Sequence, residues 1–232
     1  MYNKVVVASI VALGALAALP AQASIIYTGR TSTLSGNHCD GDSPCVAQSR
    51  SSTDLNDFSA TLSAGPTGPT QSQYSVSQQS TLTPNQISVS INANTTGLDV
   101  AQSSFEVDFT VDTPTSFSIT GNTRWRFNNG NTDIHLEGPT TLGFGSSTCQ
   151  DSGSTNSCTY SNNPTPGSIA PTVLSDGAYK LFVSASNNDS SGSNIPSVAN
   201  FKMTFAPVPL PAAAWLLVSG LLGMFGCNRR GA

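Results

Sequence analysis

Through the middle of the chain, apolar and polar residues alternate one for one. Within residues 104–112 the apolar set is Phe105, Val107, Phe109 and Val111, with Glu106 and Asp108 between them. A period of two sends the two sets to opposite faces of an extended strand. Thr113-Pro114 predicts a turn, after which Phe117 and Ile119 resume the pattern as far as Gly121. Trp125/Phe127 and Ile134/Leu136 then flank Asn128-Asn129-Gly130-Asn131-Thr132, a segment with the composition of a hairpin turn. Such a hairpin would set Arg124 and Arg126 across from residues 133–137. Ile87, Val89 and Ile91 predict an earlier strand. Tyr179, Leu181, Val183 and Ala185 predict a later one, and Phe201, Met203 and Phe205 the last. No part of the body carries a sustained 3.6-residue stripe. The pattern therefore predicts an all-β body, an antiparallel β-sandwich of jelly-roll or immunoglobulin-like type, ahead of a barrel or a β-helix. Residues 24–55 read as an edge strand and a stapled loop. The Gly/Ser/Asn/Thr/Pro stretch 138–171 reads as a long insertion, the place where a sandwich would present binding loops.

The two ends depart from this alternation. Lys4 precedes an apolar run from Val5 to Leu19, and Ala21 and Ala23 place small residues where a signal peptidase reads. This predicts an N-terminal signal helix, cleaved after Ala23, in residues 1–23. At the other end, Ala212 to Cys227 is uncharged and largely apolar, and Arg229-Arg230 follow it. That predicts one C-terminal transmembrane helix over 212–227, with residues 228–232 as a basic cytoplasmic tail that stops transfer. Pro207 and Pro209 make 206–211 a linker, and the body between the ends runs from 24 to 205.

The string Val208-Pro209-Leu210-Pro211-Ala212, the apolar segment and the terminal arginines occur in that order at the C-terminus. Together they resemble the VPLPA variant of the PEP-CTERM sorting signal, apart from Cys227, where such tails more usually carry a small or apolar residue. The resemblance covers about 25 residues. It implies an exosortase-like membrane peptidase as partner, an inner-membrane precursor, and delivery to the cell surface or an exopolysaccharide matrix. It implies nothing about the activity of the body.

Charge narrows the partners further. All thirteen Asp and Glu lie in the body against six Lys and Arg, a net of −7. That excludes nucleic acid and anionic membrane surfaces, which need basic patches. Four cysteines, Cys39, Cys45, Cys149 and Cys158, are expected to form disulfides in an oxidising compartment. Three pairings are open, of which the two local ones are favoured.

Candidate chemistry is sparse. Asp133, His135 and Glu137 share a strand face and are weak metal candidates; Asn131 joins them in the adjoining turn. Asp40 and Asp42 form a second oxygen-rich cluster that would suit calcium, although Asn, Asp and Gly are also what turns demand for backbone reasons; no cofactor is required by the sequence. No serine sits in a nucleophile elbow, and only two histidines exist to serve a triad. The leading expectation is a non-enzymatic, exosortase-sorted surface or matrix protein with a structural or adhesive role. The alternatives are a carbohydrate-binding module, calcium-dependent or not, and a hydrolase of matrix polymers.

Overall fold

In a computed structural model, the described residues are 25–39, 44–67, 72–126, 130–139, 147–151, 155–161, 173–188 and 196–208. They form thirteen strands. In chain order these are β1 (Ile25–His38), β2 (Val46–Ser52), β3 (Phe58–Thr67), β4 (Ser72–Thr83), β5 (Gln86–Thr96), β6 (Val100–Val111) and β7 (Thr115–Arg126). There follow β8 (Gly130–Glu137), β9 (Ser147–Asp151), β10 (Thr155–Ser161), β11 (Val173–Leu174), β12 (Gly177–Asn187) and β13 (Ser197–Pro207). One sheet has five strands in the order β2-β1-β6-β12-β8. The other has eight, in the order β3-β4-β5-β13-β7-β10-β9, with β11 also paired to β7.

The all-β, two-sheet expectation therefore stands, and the described fold contains neither of the two expected terminal helices. Among the described residues there is no helix, and so none long and apolar enough to cross a membrane. Residues 1–23 and 212–227, on which both helices fell, lie outside the described residues, as do Ala21, Ala23, Pro209, Leu210, Pro211, Ala212, Arg229 and Arg230. The transmembrane helix was what the sorting reading required. Among the described residues there is no such helix, so nothing in the described fold supports the membrane peptidase, the inner-membrane precursor or the delivery to surface or matrix.

Alternation explains the layering. The inward residues of β6 are Phe105, Val107, Phe109 and Val111, and those of β12 are Tyr179, Leu181 and Val183. Across from them stand Ile87, Val89 and Ile91 of β5 and Phe201, Met203 and Phe205 of β13, all in one buried cluster. Phe109 anchors it, stacked on Tyr179 and edge-on to Phe205, both at 5.6 Å between ring centres. A second, smaller cluster near the other end joins Leu34, Phe58, Tyr74, Val76, Ala93 and Ala101. Its packing needs a glycine at position 36, because a Cβ there would stand 2.0 Å from the Tyr74 ring.

A polar seam separates the two clusters. Ser32 on β1, Ser103 on β6, and Gln78 and Ser80 on β4 all occupy inward, buried positions. Ser103 Oγ donates to Gln78 Oε1 at 2.8 Å. Arg30 is buried beside them, over the Phe58 ring and donating through Nη1 to the Asn56 carbonyl.

Two connections differ from expectation. β1 lies inside its sheet, between β2 and β6, rather than at an edge. β7 and β8 do not form a hairpin: they belong to opposite sheets, so the chain crosses between layers there. β8 pairs with β12 instead, which puts Lys180, Phe182 and Ser184 opposite Glu137, His135 and Asp133.

Tyr27 ties β1 to the β4–β5 hairpin. Its hydroxyl donates to the Thr83 carbonyl at 2.7 Å and reaches that of Gln86 at 3.2 Å. Burial pushes its pKa far above the ordinary value of 10.0. The folded state thus holds this proton more tightly than the unfolded chain. The resulting stability is fully present below the ordinary value and is lost as pH rises above it.

Two outcomes are expected. At neutral pH, Tyr27→Phe costs about 1 kcal/mol, and urea titrations show the gap to the parent protein narrowing as pH rises above 10.0. Ser103→Ala alone costs about 1–2 kcal/mol because it strands the Gln78 amide, whereas Ser103→Ala with Gln78→Met is nearly neutral. A double-mutant cycle by urea denaturation measures the coupling.

Candidate functional site

The same alternation that fills the core arranges the outer face of the five-stranded sheet in rows. Pairing of β8, β12, β6 and β1 places Glu137, Lys180 and Asp108 in one row, and His135, Phe182, Glu106 and Thr31 in the next. The third row is Asp133, Ser184, Ser104 and Thr33. The fourth is Asn131, Ser186, Gln102 and Ser35, extended by Ser49 of β2. The rows thus pass from charged, through aromatic, to hydroxyl and amide.

The charged row is internally matched. Lys180 Nζ lies 2.8 Å from Glu106 Oε1 and 3.7 Å from Asp108 Oδ1. The hydrogen bond to Glu106, with the charges of Asp108 and Glu106 behind it, holds the Lys180 ammonium above its ordinary pKa. On β8, His135 Nδ1 sits 3.0 Å from Asp133 Oδ2, and its Nε2 is 3.7 Å from Glu137 Oε1. All three side chains are well exposed. Arg124 and Arg126 are on β7, in the other sheet.

In the aromatic row, Phe182 lies half-buried on the outward face, out of phase with its buried neighbours Leu181 and Val183. Its ring stacks on that of His135, with centres 5.0 Å apart and planes 30° apart. Beside it, a shallow depression of ≈ 290 Å³ is lined by Ser184, Ser186, Ser104, Gln102 and Thr33. A second, of ≈ 270 Å³, lies over β6, β1 and β2 between Ser35, Asn37, Gln48 and Ser49. Gln102 belongs to both. Thr33 Oγ1 and Ser104 Oγ are hydrogen-bonded at 2.7 Å, which fixes two of the hydroxyls that line this floor.

The far end is braced from below. Asp99 is fully buried; its Oδ1 accepts the Cys39 N–H at 2.8 Å, and its Oδ2 pairs with His38 Nδ1 at 2.8 Å. Asp99 follows Gly97, whose φ of 72° turns the chain from β5 to β6, and precedes Val100 at the depression wall. Cys39 and Cys45 are joined in a disulfide that closes the β1–β2 connection. Cys149 and Cys158 stand directly opposite each other on β9 and β10.

Of the residues singled out as metal candidates, only Asn131, Asp133, His135 and Glu137 are among the described residues. Asp40 and Asp42 lie outside the described residues. Among the described residues, no group of three His, Cys, Asp or Glu could hold a metal ion. Asp133, His135 and Glu137 form an exposed charge ladder at the sheet edge. Most of the expected binding insertion, 138–171, lies outside the described residues; its described parts include β9 and β10. Phe182 and Gln102, on which the outer face turns, were not foreseen. The available signal for Phe182 was an apolar residue at a polar position of an alternating strand.

Replacing Asp99 by Ala is expected to cost about 1–3 kcal/mol, because it leaves the buried Cys39 amide without this acceptor and removes the contact to His38. Thermal and urea unfolding of the oxidised protein measure this.

No protein-family model matches the chain, and neither a characterised protein nor a solved structure is detectably similar to it. Its function has to be read from the sheet face itself.

Proposed function

We propose that the protein is a non-enzymatic carbohydrate-binding module, and that it binds through the outer face of its five-stranded sheet. The observation that carries this reading is the Phe182–His135 stack. It is an aromatic platform set among serine and threonine hydroxyls and the Gln102 amide. A sugar ring has an apolar C–H face and a rim of hydroxyls. The first is matched by an aromatic face, the second by short donors and acceptors held on a rigid sheet. Phe182 would otherwise spend apolar surface on water in the middle of a hydrophilic face. The lining side chains are hydroxyls and amides, so binding of this kind needs no bound ion, and EDTA should leave it unchanged.

Phe182→Ala is the direct test. Loss of the platform should weaken binding to the recognised glycan by about three- to tenfold. Thermal stability should fall little, since the ring is not part of the core. Affinity electrophoresis through a panel of soluble polysaccharides, run with both proteins, reads this out. Equal retention of the two proteins on every polysaccharide that retains either would refute the reading.

A further inference from the structure

The two depressions meet at Gln102 and their floors are neighbouring strands of one sheet, so together they trace one oblique path across it, a trough in two parts. It starts at Phe182 on β12, passes Gln102 on β6 and Ser35 on β1, and ends at Ala47–Ser49 on β2. β2 is the edge strand, and its residues are exposed on both faces. The trough therefore runs off the sheet with no wall across its end among the described residues.

Its length follows from strand geometry. From Phe182 to Ala47 is three strand spacings across and six residues along, a diagonal of about 25 Å. At about 5 Å of advance per ring in an extended chain, that is room for about five pyranose units.

Its chemistry is uncharged from end to end. Ser184, Ser186, Gln102, Ser35, Asn37 and Ser49 line it, with no ionised group. The carboxylates of Glu106, Asp108, Asp133 and Glu137 lie to one side of the Phe182 end, with Lys180 as the one ammonium among them. A glycan bearing carboxylates or sulfates would find no cation in the trough and an acidic margin beside it, on a body of net charge −7.

We infer that the ligand is a neutral, unbranched, extended polysaccharide. It is bound along its length, over about five units, and not by its end. The inference rests on the carbohydrate-binding reading and adds to it the class, length and mode of the ligand.

The test uses oligosaccharide ladders of two to eight units from neutral linear glucans and mannans, with polyuronate oligomers as the charged comparison. Calorimetry at low and high salt is run on three proteins: the parent, Phe182→Ala and Ser49→Tyr. Position 49 is exposed, so Ser49→Tyr fills the β2 end of the trough without touching the core. One neutral ladder should gain affinity up to about five units and then level off. That affinity should change less than twofold between about 0.05 and 0.5 M salt. Polyuronates should not bind. Ser49→Tyr should reduce the five-unit affinity to that of about the three-unit ligand while leaving the two-unit ligand unaffected.

A plateau at one or two units, an unchanged ladder with Ser49→Tyr, or binding of polyuronates would overturn the inference. If Phe182→Ala still weakened binding in those cases, the carbohydrate-binding reading would survive. Absence of binding to every ladder and to the polysaccharide panel would remove both.

Discussion

The register of β6 is the constraint on which the rest depends. This strand sits in the middle of the five-stranded sheet, paired with β1 and β12 along nearly its whole length. Its odd-numbered residues, from Phe105 to Val111, fill the core, and its even-numbered ones, Gln102, Ser104, Glu106 and Asp108, face outward. A slip of one residue would send Phe105 and Val107 into water and bury Glu106 and Asp108 without partners. The large energetic gap between the two registers is set in the core. Its consequence on the outside is that Gln102 and Ser104 are held where the trough needs them. Binding groups on such a strand cannot drift without unpacking the protein.

The seam and the Asp99 brace set the other dimension, along the strands. A core of uninterrupted apolar side chains would let the sheets slide, since one Val or Ile resembles the next. Gln78 meets Ser103 at a single position, and Asp99 meets His38 and the Cys39 amide at another. Polar pairs of this sort make their hydrogen bonds in one alignment and lose them in the neighbouring ones. The disulfide then holds β2 close to β1, and β2 forms the open end of the trough. Polar residues in this core therefore specify position more than they add stability.

Those same residues explain which strands the sequence reveals. β5, β6, β12 and β13 alternate through most of their length, Ser103 on β6 and Phe182 on β12 being exceptions. β4 is hidden, since after Tyr74 and Val76 its inward positions are Gln78 and Ser80, indistinguishable from its outward serines. β1 is obscured in the same way by Arg30 and Ser32 facing inward, and by the bulge between Tyr27 and Gly29. The false hairpin with its turn at 128–132 has another cause. An Asn/Gly-rich turn reports that the chain reverses, but not whether the returning strand pairs with its predecessor or crosses to the other sheet. Phe182 was legible only as an interruption. It stands at a polar position between Leu181 and Val183, and only the register with β8 shows it beside His135. The Asp133, His135 and Glu137 triplet was visible at once, and its chemistry is that of an exposed ladder, because nothing opposite it completes a coordination shell.

The choice of surface residues bears on how such a face could bind at all. Only 9% of this chain is charged, and the trough is lined mainly by serine, threonine, asparagine and glutamine. Long charged side chains would keep a sheet soluble equally well, but each loses up to about 2 kcal/mol of rotamer freedom when a ligand immobilises it. Serine and threonine lose far less, and here some are already fixed, as Thr33 and Ser104 are by each other. Strand backbone is rigid for the same reason that β6 cannot slip. A weakly attractive neutral ligand, offering only hydroxyls and C–H faces, can be held usefully only if the protein gives up little freedom on binding. A sheet of short polar side chains with one aromatic ring meets that requirement, whereas a flexible charged loop would lose more in ordering than a neutral sugar returns.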